Sequence, residues 1–182
     1  GDVYKRQDYD SRYLFTASMR REGSSKFGKD HKWGNFPAVS VGWRISKESF
    51  MEGASSWLDD LKIRADFGVT GNQEFGSYLS LDTMGPFGYS YYNGEWVKVW
   101  GPNKNVNPDL HWEQGKNWNV GLDFSMFNNR LYGSFNYFLR HQQDLLGSYR
   151  VPMPPYLFTH TYVNVGTMEN QGFEFDITFN AV

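Results

Sequence analysis

Four histidines, His31, His111, His141 and His160, are the side chains best able to hold a metal or move a proton. They are scattered, and none stands at the close pair spacing that metal sites use, so they read as surface or loop histidines. The chain has no cysteine, which excludes thiolate metal sites and a disulfide framework. The adjacent Asp59 and Asp60 read as a strand entrance and the first residue of a polar face rather than as an acid/base pair. The stretches EGSSKFG (22–28) and GVTGNQ (68–73) lack P-loop or Rossmann spacing and read as turns at strand ends. No catalytic constellation stands out, so the expectation is a protein that is not an enzyme, with no metal and no cofactor. The richest stretch is YSYYNGEWVKVW. Its Tyr89, Tyr91, Tyr92, Trp96 and Trp100 carry flat faces suited to stacking on sugars or gripping a peptide. The plainer reading is that they pack a long loop or cover a partner surface, and VKVW also reads as a small strand.

The elements that must position these residues are written in a period of two. Tyr13, Phe15, Ala17 and Met19 alternate with mostly polar neighbours, and so do Val39, Val41, Trp43 and Ile45. The pattern returns at Leu61, Ile63, Ala65, Phe67 and Val69, at Trp118, Val120, Leu122, Phe124 and Met126, and at Leu131, Phe135, Tyr137 and Leu139. It ends with Phe173, Phe175, Ile177 and Phe179. These are six strands. Aromatic residues make up 19% of the 182 residues and there are 19 glycines, a mixture that fits pleated surfaces and turns. Net charge is −2, which gives no broad electrostatic case for nucleic acid.

Connection lengths alternate with strand direction. Segments 23–35, 71–114 and 145–165 are long and fall at one end. Segment 46–57, with room for a short helix, and the Asn128-Asn129 turn fall at the other. Mean hydropathy is −0.63, and no apolar run approaches the length of a spanning helix. A membrane barrel remains open, because its strands alternate lipid-facing and interior residues. A soluble sandwich alternates too, with the apolar face inward, and the pattern alone does not separate the two. Run length favours the barrel, whose strands need about 9–11 residues against about 5–6 for a typical globular strand.

Longer segments carry a resemblance. YLFTASMRREGSSKFGKDHKWGNFPAVSVGWRISKESF, WLDDLKIRADFGVTGNQ, NPDLHWEQGKNWNVGLDFSMFNNRLYGSFNYFLRHQQDLL and VGTMENQGFEFDITFN occur in that order. Together they resemble the barrel of SusC/RagA-type TonB-linked outer-membrane transporters of Bacteroidetes. The resemblance implies an all-β fold: an antiparallel segment of a large transmembrane barrel, incomplete here, with long extracellular loops and short periplasmic turns. Residues 11–182 would be the partial barrel, with plug and terminal strands absent. Residues 1–10 do not flow into the alternation and read as a non-family scar. Ile63, Phe67, Val69, Val120, Leu122, Phe124, Phe173, Phe175 and Ile177 would face lipid, and Lys62, Arg64, Asp66, Asp123 and Arg140 the lumen. The implied function is TonB-dependent import of oligosaccharides or peptides across the outer membrane, with a SusD-like surface lipoprotein and the TonB complex as partners. The alternative is a soluble secreted carbohydrate-binding module, which would need Phe173, Phe175, Ile177 and Phe179 buried together.

Overall fold

A computed structural model describes residues 1–27, 30–73 and 80–181; Gly28, at the end of one expected turn, residues 74–79 of the long connection, and Val182 lie outside the described residues. Period-two sequences become a sheet only if their registers put like with like, and they do. The strands are β1 (Asp2–Tyr9), β2 (Tyr13–Gly23), β3 (Trp33–Arg44), β4 (Leu58–Asn72), β5 (Met84–Tyr92), β6 (Glu95–Pro102), β7 (Glu113–Met126), β8 (Leu131–Arg150) and β9 (His160–Phe179). Seven form one antiparallel sheet in the order β1-β2-β3-β4-β7-β8-β9, and β5 and β6 form a separate hairpin. The six expected strands are β2, β3, β4, β7, β8 and β9.

The register aligns the alternation into rows. One row on the apolar face runs Tyr13, Trp43, Ile63, Leu122, Phe135, Phe175, and the next runs Phe15, Val41, Ala65, Val120, Tyr137, Phe173. On the other face lie Leu14, Gly42, Arg64, Gly121, Asn136, Glu174 and then Thr16, Ser40, Asp66, Asn119, Phe138, Gly172. The apolar rows on β8 extend from Leu131 to Leu139, about 26 Å of strand at 3.3 Å per residue. One row further, the same face turns polar, as Lys116, His141 and Glu169.

Chain reversals follow the expected asymmetry. At one end lie Asp10–Arg12, two 3-10 turns (Ile45–Lys47 and Ser49–Ala54) and the β7–β8 turn. That last turn uses three successive positive φ values, at Phe127, Asn128 and Asn129. Asn tolerates this region, whereas Phe127 is held in it by neighbours: its N–H donates to the Trp57 carbonyl at 2.9 Å, and the Asp59 carboxylate accepts from the Asn129 N–H at 3.0 Å. The longer connections gather at the other end.

Three features depart from expectation. Asp2–Tyr9 pairs with β2, although residues 1–10 showed no strand pattern; the register puts Lys5 and Gln7 into the apolar rows beside Ala17 and Phe15. β8 and β9 are 20 residues each and run deep into the expected 145–165 loop, which narrows to 151–159. A bulge at Asp144, whose φ is +59°, shifts the register there. The third departure is a hairpin, β5–β6, inside the expected long loop. Its Asn93-Gly94 turn has both φ values positive, the geometry such turns favour.

Apart from Leu58 at the short-turn end, the buried apolar side chains among the described residues sit at the long-loop end. Above Ala38 and Gly68, β3 leaves β4 and pairs with β2 alone. Phe27, Phe36 and Trp112 fill the gap, with Phe27 only 1% exposed. Phe27 and Trp112 rings lie 4.8 Å apart, and Phe36 meets Trp112 edge-on at 5.3 Å. Gly71 makes room: a Cβ there would fall 2.2 Å from the Phe36 ring.

Candidate functional site

The polar face of the sheet is organised around Arg64. Its Nε donates to Asp123 at 3.1 Å, one Nη to the Asn136 side-chain oxygen, and Nη1 lies 3.8 Å from Asp66. Ser40 Oγ donates to Asp66 in turn. Asn119, with its amide oriented by its partners, accepts from Arg64 Nη1 at 3.1 Å and donates to the Tyr137 carbonyl at 3.1 Å. Side chains from β4, β7 and β8 thus meet on one guanidinium, and Ser40 of β3 joins them through Asp66. Gly121 permits the approach, since a Cβ there would sit 2.7 Å from Arg64 Cζ. Lys62 lies in the row of Arg44, Asp123 and Ser134. Arg140, on the same face, places its guanidinium 5.3 Å from the Phe138 ring centre. Expected interior residues Lys62, Arg64, Asp66, Asp123 and Arg140 therefore share one face, and three of them form one network.

On the opposite face the expected apolar positions share the rows. Phe173, Phe175, Ile177 and Phe179 are 71%, 66%, 49% and 67% exposed, the reverse of a core. Val120 and Ile63 are exposed as well, and Leu122, Phe124 and Phe67 are half-buried among neighbours, with the Phe67 and Trp118 rings 4.2 Å apart. Val69 differs: it packs against Phe27, Phe36 and Trp112, because β3 has peeled away beside it.

The hairpin sorts its aromatics. Pairing of Tyr91 with Trp96 and Tyr89 with Lys98 places Tyr89, Tyr91, Trp96 and Trp100 on one side and Tyr92 on the other. Tyr91 and Trp96 meet edge-on at 5.4 Å, and Lys98 Nζ lies 5.2 Å from the Trp100 ring centre. All five aromatics are more than half exposed. This is a shallow, flat-faced platform with a cation at its edge. Among the described residues, no group of three or more His, Asp or Glu side chains converges to hold a metal.

The family model described as TonB dependent receptor-like, beta-barrel, matches residues 6–181. The chain belongs to the TonB-dependent receptor β-barrel family. A TonB-dependent receptor SusC of Bacteroides thetaiotaomicron is 39% identical over 176 residues, covering 92% of this chain and 17% of the relative. TonB-dependent receptor P39 of Formosa agariphila is 41% identical over 172 residues, covering 93% and 16%. The chain thus spans about a sixth of these relatives' length. The RagAB peptide importer in its open-open state superposes with a TM-score of 0.86 at 29% identity, over 97% of this chain and 19% of that one. In its closed-closed state the TM-score is 0.82.

Two constellations in this TonB-dependent receptor section escape a reading by alternation. At the short-turn end, Glu48 accepts from Tyr13 Oη at 2.7 Å, Trp43 Nε1 at 3.0 Å and Arg12 Nη1 at 3.3 Å. The hydrogen bonds from Tyr13 and Trp43 hold its carboxyl below the usual range. At the long-loop end, Asn105 donates to the carbonyls of Phe158 and His160, and Asn107 to that of Tyr162. Asn164 exchanges hydrogen bonds with the backbone of His111 and donates to the Asp144 carbonyl. These amides clasp segment 104–112 to the β8–β9 arm. The one sequence sign of the clasp was the density of Asn in KNVNPD.

Proposed function

We propose that this chain is part of the wall of an outer-membrane TonB-dependent active transporter of the SusC/RagA type, importing oligosaccharides or peptides. The observation that carries the reading is the bare apolar face. Ile63, Phe67, Val120, Leu122, Phe124, Phe173, Phe175 and Ile177 occupy rows whose strand length suits a bilayer crossing. They face lipid, and Lys62, Arg64, Asp66, Asp123 and Arg140 face the lumen or its plug. Val69 sits above the lipid band. Residues 11–182 make up the wall; the first ten, although β1 pairs with β2 and the family match begins at residue 6, set Lys5 and Gln7 against lipid. Six strands amount to roughly a quarter of a 22-stranded transporter. The long-loop end is extracellular, where a SusD-like lipoprotein caps the barrel, and the TonB complex delivers energy through the plug.

The aromatic side of the hairpin, Tyr89, Tyr91, Trp96 and Trp100, with Tyr92 behind it, contacts cargo outside the membrane. A soluble carbohydrate-binding module is disfavoured, because it would bury Phe173 to Phe179 together. The test is uptake of fluorescent oligosaccharides and peptides by cells producing the full-length transporter. Uptake of one class is expected to depend on TonB, and Tyr91→Ala with Trp96→Ala is expected to raise the half-saturating concentration about tenfold, the scale of losing one or two aromatic contacts. TonB-independent uptake, or none of either class, would refute the transport reading. Unchanged saturation in the double variant would remove the hairpin from cargo binding.

A further inference from the structure

The gap where β3 leaves β4 is also a cleft of about 380 Å³, lined by Asp30, His31, Trp33, Asn35, His111 and Gln114 above a floor of Phe36 and Trp112. Which side of the wall it opens on follows from the register. Gln114 pairs with Gly71, on the same face as Lys116, Trp118 and Val120. Phe36 leaves β3 on the side of Ser40 and Arg20, and its ring crosses the gap: a Cβ on Gly71 would strike both Phe36 and Trp112, so the floor rings reach the face of β4 that carries Val69. Asn35 and Trp33 pair with Arg21 and Gly23, in line with Met19, Ala17 and Phe15. The cleft therefore opens on the apolar side of the wall, not on the side of Arg64. Gln114 stands four residues beyond Trp118, the last apolar position on its strand, or about 13 Å further along it. With the strand tilt this is headgroup height in an outer leaflet.

The lining suits a sugar that carries phosphate. Trp33 is 63% exposed and offers an indole face. The amides of Asn35 and Gln114 and the imidazole of His31 both donate and accept, as hydroxyl recognition requires, while His111 Nδ1 is engaged with the Asp109 carbonyl at 2.8 Å. Arg21, beside the lining, places its guanidinium 5.0 Å from the Trp33 ring centre and so brings a cation next to the indole. Lys116 projects from the same face one row above the apolar band. Of the acids nearby, Glu169 is met by His141 at 3.4 Å and Asp144 by His111 at 3.8 Å, and Asp30 is the carboxylate in the lining. The floor is rigid, because Phe27, Phe36 and Trp112 are buried, and His111 is clasped by Asn164 through its backbone N–H and C=O.

We propose that this cleft binds the phosphorylated sugar headgroup of an outer-leaflet glycolipid, seating the transporter in its membrane. The inference rests on the outer-membrane reading above. Cargo in the lumen is separated from the cleft by the wall itself.

The test is native mass spectrometry of the full-length, delipidated transporter titrated with rough lipopolysaccharide, consisting of lipid A and phosphorylated inner-core sugars. Saturable one-to-one binding is expected, weakened about tenfold or more by Arg21→Gln and by Trp33→Ala, the scale of a charge-assisted contact. Trp96→Ala on the hairpin should leave it unchanged. Both cleft residues are exposed, so folding should survive, and TonB-dependent uptake reports that it has. Equal binding by parent and cleft variants would overturn the proposal. So would equal competition by inorganic phosphate or phosphatidylglycerol vesicles, which would mean a simple anion site, or a Trp33→Ala loss confined to cargo uptake. Uptake that fails while glycolipid binding persists would count against the transport reading and not against the cleft.

Discussion

Phe175→Arg tests the inverted polarity of this wall at its most sensitive point. Phe175 lies in the row of Ile63, Leu122 and Phe135, midway between Leu131 and Leu139 on the neighbouring strand, and is 66% exposed. If that face meets hydrocarbon, the guanidinium must enter the bilayer near its midplane, at a cost of about 2–4 kcal/mol. Loss of the ring contact with Phe135, 6.3 Å away, adds about 0.5–1.5 kcal/mol, and Phe175→Ala measures that part separately. The neighbouring Glu174 points to the polar face, in the row of Asn136 and Arg64, and is exposed. Glu174→Arg introduces the same side chain one residue away into a wet setting, with a cost of at most about 1 kcal/mol. The assay is urea-dependent folding of the full-length transporter into lipid vesicles. The expected gap between the two arginine variants, about 2 kcal/mol or more, is a factor of roughly thirty in the folding equilibrium. Equal losses would mean that both faces meet water or protein, and the assignment of faces would fall.

Two further outcomes follow from packing and titration. Gly71→Ala forces a Cβ into the Phe36 ring, so the long-loop end should lose about 1–3 kcal/mol, read as faster proteolysis between residues 24 and 32 in the folded transporter; parent-like resistance would show that the gap is looser than drawn. Glu48 has a depressed pKa in the folded protein, so its contacts with Tyr13 and Trp43 should hold above the ordinary value of 4.5 and release only as pH falls through the lower folded value. Trp43 fluorescence, taken as the difference from Trp43→Phe, reports this, and a transition between pH 5 and 7 would contradict the contacts.

Most of the wall was legible because a sheet with two different surroundings must write a period of two into every strand. Rows such as Phe15, Val41, Ala65, Val120, Tyr137 and Phe173 are that requirement read across six strands. Legibility ends where the two sides become alike. The outer halves of β8 and β9 have no alternation to keep, so QQDLLGSYR and HTYVNVG read as loop, although they pair along their length. Asp2–Tyr9 has no pattern either, and pairs with β2 along its backbone with one ring contact, Tyr9 to Tyr13 at 6.4 Å. The platform aromatics were visible by composition, but their division into Tyr89, Tyr91, Trp96 and Trp100 against Tyr92 depends on the register set by the Asn93-Gly94 turn. The cluster of Phe27, Phe36 and Trp112 joins residues up to 85 positions apart at a gap between strands, and no local period announces such a meeting.

The β8–β9 arm has a mechanical consequence. Leu139 closes the apolar rows, and β8 continues to Arg150, so the ribbon runs about 36 Å past the last apolar row at 3.3 Å per residue. A free two-stranded ribbon of that length would bend and twist under small loads. This one is propped, since Asn105 and Asn107 grip it near Phe158, His160 and Tyr162, close to its tip, and Asn164 ties its middle to His111. A propped cantilever transmits displacement rather than absorbing it. A push on the arm's tip reaches His111 and, one residue on, Trp112, the wedge between the two halves of the wall, and so the arm and the seam move as one lever.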